Sequence, residues 1–185
     1  MQVQSRTAGF SAIDMLCVVS IMGIVSAMAV FQVEAGRSSV RGDGAARNLI
    51  AQLSTARELA ISERRNVEVA FPGPNLVSLV RHEVPGGTTT LKTVALESGV
   101  EFRLTDGVPD TPDAFGNAVP IDFGPAASVM FGTEGSLTDA TGNPVSGTVF
   151  MAIPNQQRST RAVTVLGPTG RVRGYRWDGA AWRPL

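Results

Sequence analysis

The sequence predicts an α+β fold, in which a long N-terminal helix packs on a mostly antiparallel C-terminal β-domain. Two observations predict it. Up to residue 65, apolar residues recur at three- and four-residue steps, as on one face of a helix. After residue 65, short runs rich in β-branched and aromatic residues are bounded by Gly, Pro, Asn and Asp, as in strands joined by turns. A chain of 185 residues is long enough for one such domain with a real core.

The first element is an apolar stretch with one acid at its head. Residues 15–31, MLCVVSIMGIVSAMAVF, carry no charge, and these 17 residues are the lower limit for a helix that crosses a bilayer core. Asp14 precedes this run. A carboxylate in lipid costs so much free energy that its presence indicates a functional role. Three interpretations fit the stretch: a plain membrane anchor, a secretory signal, and an anchor that follows a cleaved leader.

The secretory signal would use Arg6 as its positive region and residues 27–29, AMA, as its cleavage site. Two details weigh against it. Asp14 lies inside what should be an uncharged core, and the apolar pattern continues past the AMA motif into a helical segment. The third interpretation places the cleavage between Gly9 and Phe10, so that the hydrophobic helix stays on the mature protein.

Residues 9–24, GFSAIDMLCVVSIMGI, resemble the N-terminal signature of type IV prepilins. That family has Gly at the cleavage site, Phe as first mature residue, an acid at mature position five and Gly at mature position fourteen. The matching residues are Gly9, Phe10, Asp14 and Gly23. The chain departs from the family in two places, because the acid is usually Glu and because many members have Pro at the position of Phe31.

The resemblance implies a type IV pilin-like fold and a membrane-bound prepilin peptidase that cuts after Gly9 and methylates the new amine of Phe10. It implies a single-pass inner-membrane protein with a periplasmic domain, which joins a pilus or pseudopilus. Its partners would be other pilin or pseudopilin subunits and the inner-membrane assembly platform. The chain would have four parts: a leader at 1–9, a transmembrane and filament-core helix at 10–33, an amphipathic helix at 34–66 and a β-domain at 67–185.

The resemblance also makes Asp14 an assembly residue. In pilins an acid at this position is thought to pair with the N-terminal amine of a neighbouring subunit. Such pairing recovers much of the desolvation cost of two charges that are each unstable alone in lipid. The alternative is that Asp14, four residues from Phe10, reaches the lipid headgroups. Because Asp is shorter than Glu, the residue favours a minor or terminal subunit.

The next segment predicts a joint and then an amphipathic helix. Residues 36–44, GRSSVRGDG, contain three glycines, which predict a break or soft joint. Residues 45–65 predict a helix with one apolar stripe, formed by Ala46, Leu49, Ile50, Leu53, Ala56, Leu59 and Ala60. The other side would carry Arg47, Asn48, Gln52, Arg57, Glu58 and Glu63.

The remainder of the chain predicts strands and turns, with a loop at 106–117. The candidate strands are 67–71, 76–81, 89–96, 100–104, 120–123, 128–131, 148–153, 161–166 and 171–177. Three parts of this region resemble the FimT/pseudopilin H group. These are residues 53–61, LSTARELAI, with the following VEVAF; residues 129–131, VMF, with the following GSL at 135–137; and residues 162–165, AVTV, with the following GRVR at 170–173.

The net charge is zero, but the charges are unevenly placed. Residues 97–139 contain eight acids and one Arg, whereas residues 158–185 contain six Arg and one Asp. This asymmetry indicates an oriented partner or neighbours of the same type in an assembly.

The basic C-terminal segment has two interpretations. In its predicted strand Arg171, Arg173, Tyr175 and Trp177 alternate onto one face, and Arg176 lies on the other. Guanidinium groups among aromatic rings suit phosphate contact and base stacking, and the GRVR ending resembles FimT-type minor pilins implicated in DNA capture. DNA is therefore a candidate partner of Arg171, Arg173 and Arg176. The alternative, favoured by the acidic segment, is that the arginines pair with acids on a neighbour and that Trp177 or Trp182 covers the core.

We expect a structural protein and not an enzyme. No nucleophile-base pair, phosphate loop or metal-ligand spacing occurs in the sequence, so we expect no cofactor. Cys17 is the only cysteine, which excludes an intramolecular disulfide, and His82 is the only histidine and is expected to be hydrogen-bonded or exposed. The expected function is to help initiate or cap a type IV pilus or a type II secretion pseudopilus.

Overall fold

The computed structural model describes residues 11–96, 99–110, 112–114, 116, 118–124 and 129–185, without the side chains of residues 29–35. Within the described residues, one α-helix, α1, spans Ala12–Glu63, and two short 3₁₀ helices span Pro112–Ala114 and Gly167–Thr169. The strands are β1 Val67–Gly73, β2 Leu76–His82, β3 Thr88–Ala95, β4 Glu101–Phe102, β5 Ile121–Asp122, β6 Val129–Phe131, β7 Leu137–Thr138, β8 Gly147–Ile153, β9 Gln156–Leu166, β10 Arg171–Trp177 and β11 Trp182–Pro184. The predicted α+β class is confirmed.

The described strands pair antiparallel in two sheets. The first sheet has the order β3-β2-β1-β6-β7, and the second has the order β11-β10-β9-β8-β4, with β5 also paired to β8. The predicted strands are confirmed, several of them shorter or longer than predicted. The sequence analysis missed β7 and β11, because strands of two and three residues carry too few positions for an alternating pattern.

The chain divides into two compact units, Met1–Arg37 and Ser38–Leu185, which are described separately. In the first unit, Ser11 and Asp14 form a capping box at the start of α1. The Ser11 hydroxyl accepts a hydrogen bond from the Ile13 N–H at 3.3 Å, and the Asp14 carboxylate accepts one from the Ser11 N–H at 3.1 Å. The predicted leader and the predicted processing residues Gly9 and Phe10 lie outside the described residues.

Large apolar side chains of the first unit project from α1 in all directions. They are between 48% and 70% exposed: Ile13, Met15, Leu16, Val18, Val19, Ile21, Met22, Ile24, Val25 and Met28. Over the part of the chain that the structure describes, no helix combines the length and the apolar character needed to cross a membrane.

In the second unit, one face of α1 packs into a core that both sheets share. Most of the predicted stripe is buried, which confirms the amphipathic pattern: Ala46, Leu49, Leu53, Ala56 and Ala60 are fully buried, and Ile50 and Leu59 are partly buried against the same core. Gln52 was predicted on the polar side and is instead 8% exposed, with its amide donating to the Asn48 side chain at 3.2 Å. Asn48 lies one turn earlier on α1. Because its side-chain oxygen accepts this bond, the Gln52 amide nitrogen has a partner at the edge of the buried face.

A break of the helix at residues 36–44, one of the two possibilities that the glycines indicated, is not found, because these residues are helical. Gly42 is needed for the close packing of α1 on a strand, and not for flexibility of the helix. A Cβ atom on Gly42 would overlap the carbonyl oxygen of Ser159, which lies in β9. Only glycine therefore lets this turn of α1 approach the strand so closely.

Arg161 of β9 joins the same turn of α1 to the second sheet. Its side chain is fully buried, and its Nε donates to the Asp43 carboxylate at 2.7 Å. One terminal nitrogen donates to the carbonyl oxygens of Arg158 and Thr160, and the other donates to the carbonyl and hydroxyl oxygens of Ser39, all within 2.9 Å. Burial lowers the pKa of this guanidinium, and the hydrogen bond and charge of Asp43 oppose that shift. The five N–H donors of an arginine are thus all used.

We predict that Gly42→Ala lowers the free energy of unfolding of the full chain in detergent by about 1–3 kcal/mol, because the new methyl group must displace the strand backbone. Urea denaturation followed by circular dichroism measures this change. Gly36→Ala is the matched control, since a Cβ at Gly36 meets no atom within 4 Å and the substitution gains helix propensity. Equal effects of the two substitutions would contradict the packing argument.

Candidate functional site

The candidate site lies on β10, which pairs with β9 on one side and β11 on the other. The predicted alternation is confirmed, since Arg173 and Tyr175 contact the same carboxylate on one face and Trp177 follows in the same register. The opposite face is directed at α1, because a Cβ on Gly174 would come within 2.7 Å of the Ile50 side chain. The predicted DNA-binding arginines are therefore divided, with Arg171 and Arg173 on one face and Arg176 on the other.

Asp113 is the centre of the contacts on the face that carries Arg171 and Arg173. Its carboxylate accepts hydrogen bonds from the Thr164 hydroxyl at 2.7 Å, the Tyr175 hydroxyl at 2.8 Å and the Arg173 guanidinium at 3.2 Å. Burial acts to raise the pKa of Asp113, but the two hydroxyl bonds and the charge of Arg173 outweigh it and lower the pKa. An acid of the 97–139 segment thus partly neutralises the basic strand within the same chain.

The backbone around Asp113 is held in a sparsely populated conformation. Asp113 and Ala114 have φ angles of 58° and 59°, in the left-handed region that non-glycine residues rarely adopt. Such conformations cost free energy and persist only where surrounding contacts fix them. The three bonds to the Asp113 carboxylate are contacts of that kind.

Arg171 is exposed and borders two recesses. The smaller has a volume of about 150 Å³ and is lined by Asp113, Thr164, Leu166, Arg171 and Arg173; we call it the arginine recess. The larger, of about 380 Å³, lies between α1 and the β9–β10 turn. Within the described residues, the Arg171 guanidinium makes no hydrogen bond or ion pair.

The aromatic residues of the basic segment pack within the chain. Trp177 is 6% exposed and packs edge to face on Trp182, with ring centroids 5.6 Å apart. Trp182 also lies 6.1 Å from the Phe150 ring, and its indole N–H donates to the Pro109 carbonyl at 2.7 Å. Both tryptophans thus pack against rings and backbone of the same chain, although neither belongs to the hydrophobic core cluster into which α1 packs.

Arg57 connects three of the segments that carry the FimT/pseudopilin H resemblance. Its Nε donates to the Gly135 carbonyl at 2.9 Å. Gly135 and Gly170 have φ angles of 81° and 60°, and a Cβ on either would lie within 3.0 Å of the Arg57 Nε. The helix segment, the β6–β7 turn and the β9–β10 turn thus meet at one guanidinium, and both turns need glycine.

Other predicted residues are placed as follows. His82, expected to be hydrogen-bonded or exposed, pairs with the Glu68 carboxylate at 2.9 Å. Cys17 is exposed on α1. Arg161, one of the six arginines of residues 158–185, is fully buried and unavailable to a ligand. Sequence analysis missed Asp113 and Arg57, because each contacts residues 51 or more positions away and no local pattern signals such pairings.

Comparisons with known proteins give no family assignment. No protein-family model matches the chain. An alignment over 126 residues, which covers 60% of the chain, is 28% identical to large ribosomal subunit protein uL2 of Pyrobaculum calidifontis (strain DSM 21063 / JCM 11548 / VA1). The matched stretch covers only 51% of that relative's length. Among solved structures, the chain is similar to the minor pseudopilin EpsH from the type 2 secretion system of Vibrio cholerae, with 16% identity and a TM-score of 0.49, over 76% of this chain and 99% of that one.

We predict that the stabilisation from Asp113 depends on pH. Because its pKa in the folded chain lies below the ordinary value of about 3.9, its contribution is complete above that value and is lost as the pH falls through the lowered pKa. Wild type and Asp113→Asn should therefore differ in thermal stability by a constant amount between about pH 5 and pH 6, and the difference should shrink below about pH 4.

Thermal unfolding of both chains from pH 6 to pH 3 measures this difference. Thr164→Val removes one of the three donors and should reduce the pH-dependent part without abolishing it. A difference that stays constant down to pH 3 would show that the Asp113 contacts are not formed in solution.

Proposed function

We propose that this chain is a minor pilin or pseudopilin, a structural subunit that helps initiate or cap a type IV pilus or a type II secretion pseudopilus. The observation that carries the proposal is the prepilin-type signature in front of an apolar helix. Gly9, Phe10, Asp14 and Gly23 fall on the positions of the family signature, and the side chains of that helix described up to Met28 are exposed. The processing enzyme would be a prepilin peptidase, and the other partners would be pilin or pseudopilin subunits and the assembly platform.

The exposed helix supports this proposal because a helix that is apolar on all sides is stable only when it packs against lipid or protein. Ile13, Leu16 and Val19 are 70%, 69% and 67% exposed. Lipid provides such packing before assembly, and the helices of neighbouring subunits provide it in a filament. The proposed anchor, residues 10–33 in the inner membrane, includes positions whose side chains lie outside the described part of the chain.

Asp14 supports an assembly role with a specific chemistry. Its carboxylate already accepts the Ser11 N–H, which occupies one acceptor position and fixes the side chain at the start of α1. A carboxylate has further acceptor positions, so the N-terminal ammonium of a neighbouring subunit can bind Asp14 without breaking the capping box. Aspartate has one methylene group less reach than glutamate, which weakens this pairing and favours a minor or terminal subunit.

DNA capture is a second candidate function, and the exposed guanidinium of Arg171 favours it. Arg171 and Arg173 lie side by side on one face of β10, and the Arg171 guanidinium has no ion-pair partner among the described residues, whereas Arg173 is bound to Asp113 and Arg176 lies on the face directed at α1. A DNA-binding surface of this kind would rest mainly on Arg171. Titration with a phosphodiester, described in the next subsection, tests this candidate.

The proposed processing is tested by the mass of the mature chain, expressed in a bacterium that contains a prepilin peptidase and extracted from the membrane. We predict an N-terminus at Phe10 that carries one added methyl group, and no processing of a Gly9→Val variant. Ala29→Leu, which disrupts the AMA motif, is the control and should be processed normally. A soluble mature chain that begins at Val30 would contradict the proposal and would identify the segment as a secretory signal.

A further inference from the structure

The hydrogen bonds of the Asp113 carboxylate indicate which kind of ligand the arginine recess recognises. Thr164, Arg173 and Tyr175 lie on the neighbouring strands β9 and β10, and all three donate hydrogen bonds to one carboxylate. Because the two strands are paired in register, with Thr164 opposite Arg173, these donors are held in place before any ligand arrives. The sheet therefore presents a preorganised set of donors that suits a planar carboxylate.

Arg171 adds unused donors to the same recess. Its guanidinium has five N–H groups and makes no hydrogen bond or ion pair among the described residues. Arg173 is also only partly used, since it gives one bond of 3.2 Å to Asp113 and its side chain remains 44% exposed. Two guanidinium groups against one carboxylate leave a charge of +1 in the lining (+2 − 1), which one monoanion would neutralise.

The volume of the recess is sufficient for a small monoanion. About 150 Å³ is several times the roughly 30 Å³ that a water molecule occupies in the liquid. A carboxylate with its neighbouring methylene groups fits this space, whereas a nucleobase would also need an aromatic face on which to stack. Trp177 is buried, and the Tyr175 hydroxyl is bound to Asp113, so both rings are already packed or fixed.

We propose that the arginine recess binds a single aspartate or glutamate side chain of a partner protein. The carboxylate is held by Arg171 and by the remaining donors of Arg173. Asp113 does not contact this ligand directly and acts as a positioning residue, because it holds the Arg173 guanidinium in place. The inference goes beyond the proposed filament function and does not depend on it, since it concerns only the anion that this face of the second sheet recognises.

The arrangement of the other arginines favours a protein carboxylate over a nucleic acid. Nucleic-acid binding uses a row of cations along the phosphate backbone. Here Arg183 is bound to Asp178 at 2.8 Å, Arg161 is buried, and Arg176 lies on the opposite face of β10. The recess therefore provides one concentrated positive position instead of a row.

The test is an NMR titration of the Arg Nε–Hε signals of the full chain in detergent micelles, at constant ionic strength. The probes are N-acetyl-glutamate amide, its neutral analogue N-acetyl-glutamine amide, and diethyl phosphate as a phosphodiester with the same charge. We expect saturable shifts of the Arg171 and Arg173 signals with the glutamate probe, none with the glutamine probe, and at least about threefold weaker binding of diethyl phosphate.

Two variants separate the recess from general electrostatics. Arg171→Gln should weaken glutamate binding by about tenfold or more, as expected for the loss of a charge-assisted hydrogen bond. Arg183→Gln removes an exposed arginine charge outside the recess, one that is paired with Asp178, and should leave binding unchanged. Retained thermal stability of Arg171→Gln shows that the fold is intact.

Three results would overturn the inference. They are the absence of saturation with the glutamate probe, an equal loss of binding in both variants, and tighter binding of diethyl phosphate than of the glutamate probe. The last result would assign the recess to a phosphodiester and support DNA capture. None of these results bears on cleavage after Gly9, so failure here is distinguishable from failure of the proposed function.

Discussion

The buried ion pair between Arg161 and Asp43 is the interaction on which the rest of the second unit depends. A guanidinium with no exposed surface is tolerated only if its charge is paired and its N–H groups are bonded, and here both conditions are met. Because the acceptors belong partly to α1 and partly to β9, the bonds can form together only when this turn of the helix lies against this strand. Gly42 makes that approach sterically possible.

The position of the candidate site follows from the same strand. Arg161 and Val163 lie on the face of β9 directed at the core, so Thr164 lies on the opposite face, where it meets Asp113. The β9–β10 turn is fixed in addition by Arg57, which leaves no space for a Cβ at Gly170. Thr164 of β9 and Arg171 and Arg173 of β10 are therefore presented by a sheet that is attached to the helix at two separate points.

Patterns of short range explain why much of the fold could be predicted from the sequence. The stripe that includes Leu49, Leu53 and Ala56 has the period of a helix, and the alternation along β10 has the period of a strand, so both elements were predicted correctly. The glycines at 36–44 indicated a break or a soft joint, and the sequence could not show that the helix continues there with a strand backbone against Gly42.

The contacts that define the site are of long range and could not be predicted in this way. Asp113 lies in a segment that has only loop character in the sequence, yet it meets Thr164 and Arg173, which are 51 and 60 residues away. Arg161 has the same appearance in the sequence as the exposed arginines that follow it, and only its contact with Asp43, 118 residues away, makes it a core residue. Pairings of this kind are set by the tertiary fold, which the residue types alone do not reveal.

A double-mutant cycle between Asp43 and Arg161 tests most directly whether this ion pair couples the helix to the second sheet. Unfolding free energies would be measured by urea denaturation for the wild type, Asp43→Asn, Arg161→Met and the double variant. We predict a coupling energy of about 2 kcal/mol or more, with the double variant much less destabilised than the sum of the single variants. Additivity within about 0.5 kcal/mol would contradict the account, because it would mean that the two residues act independently.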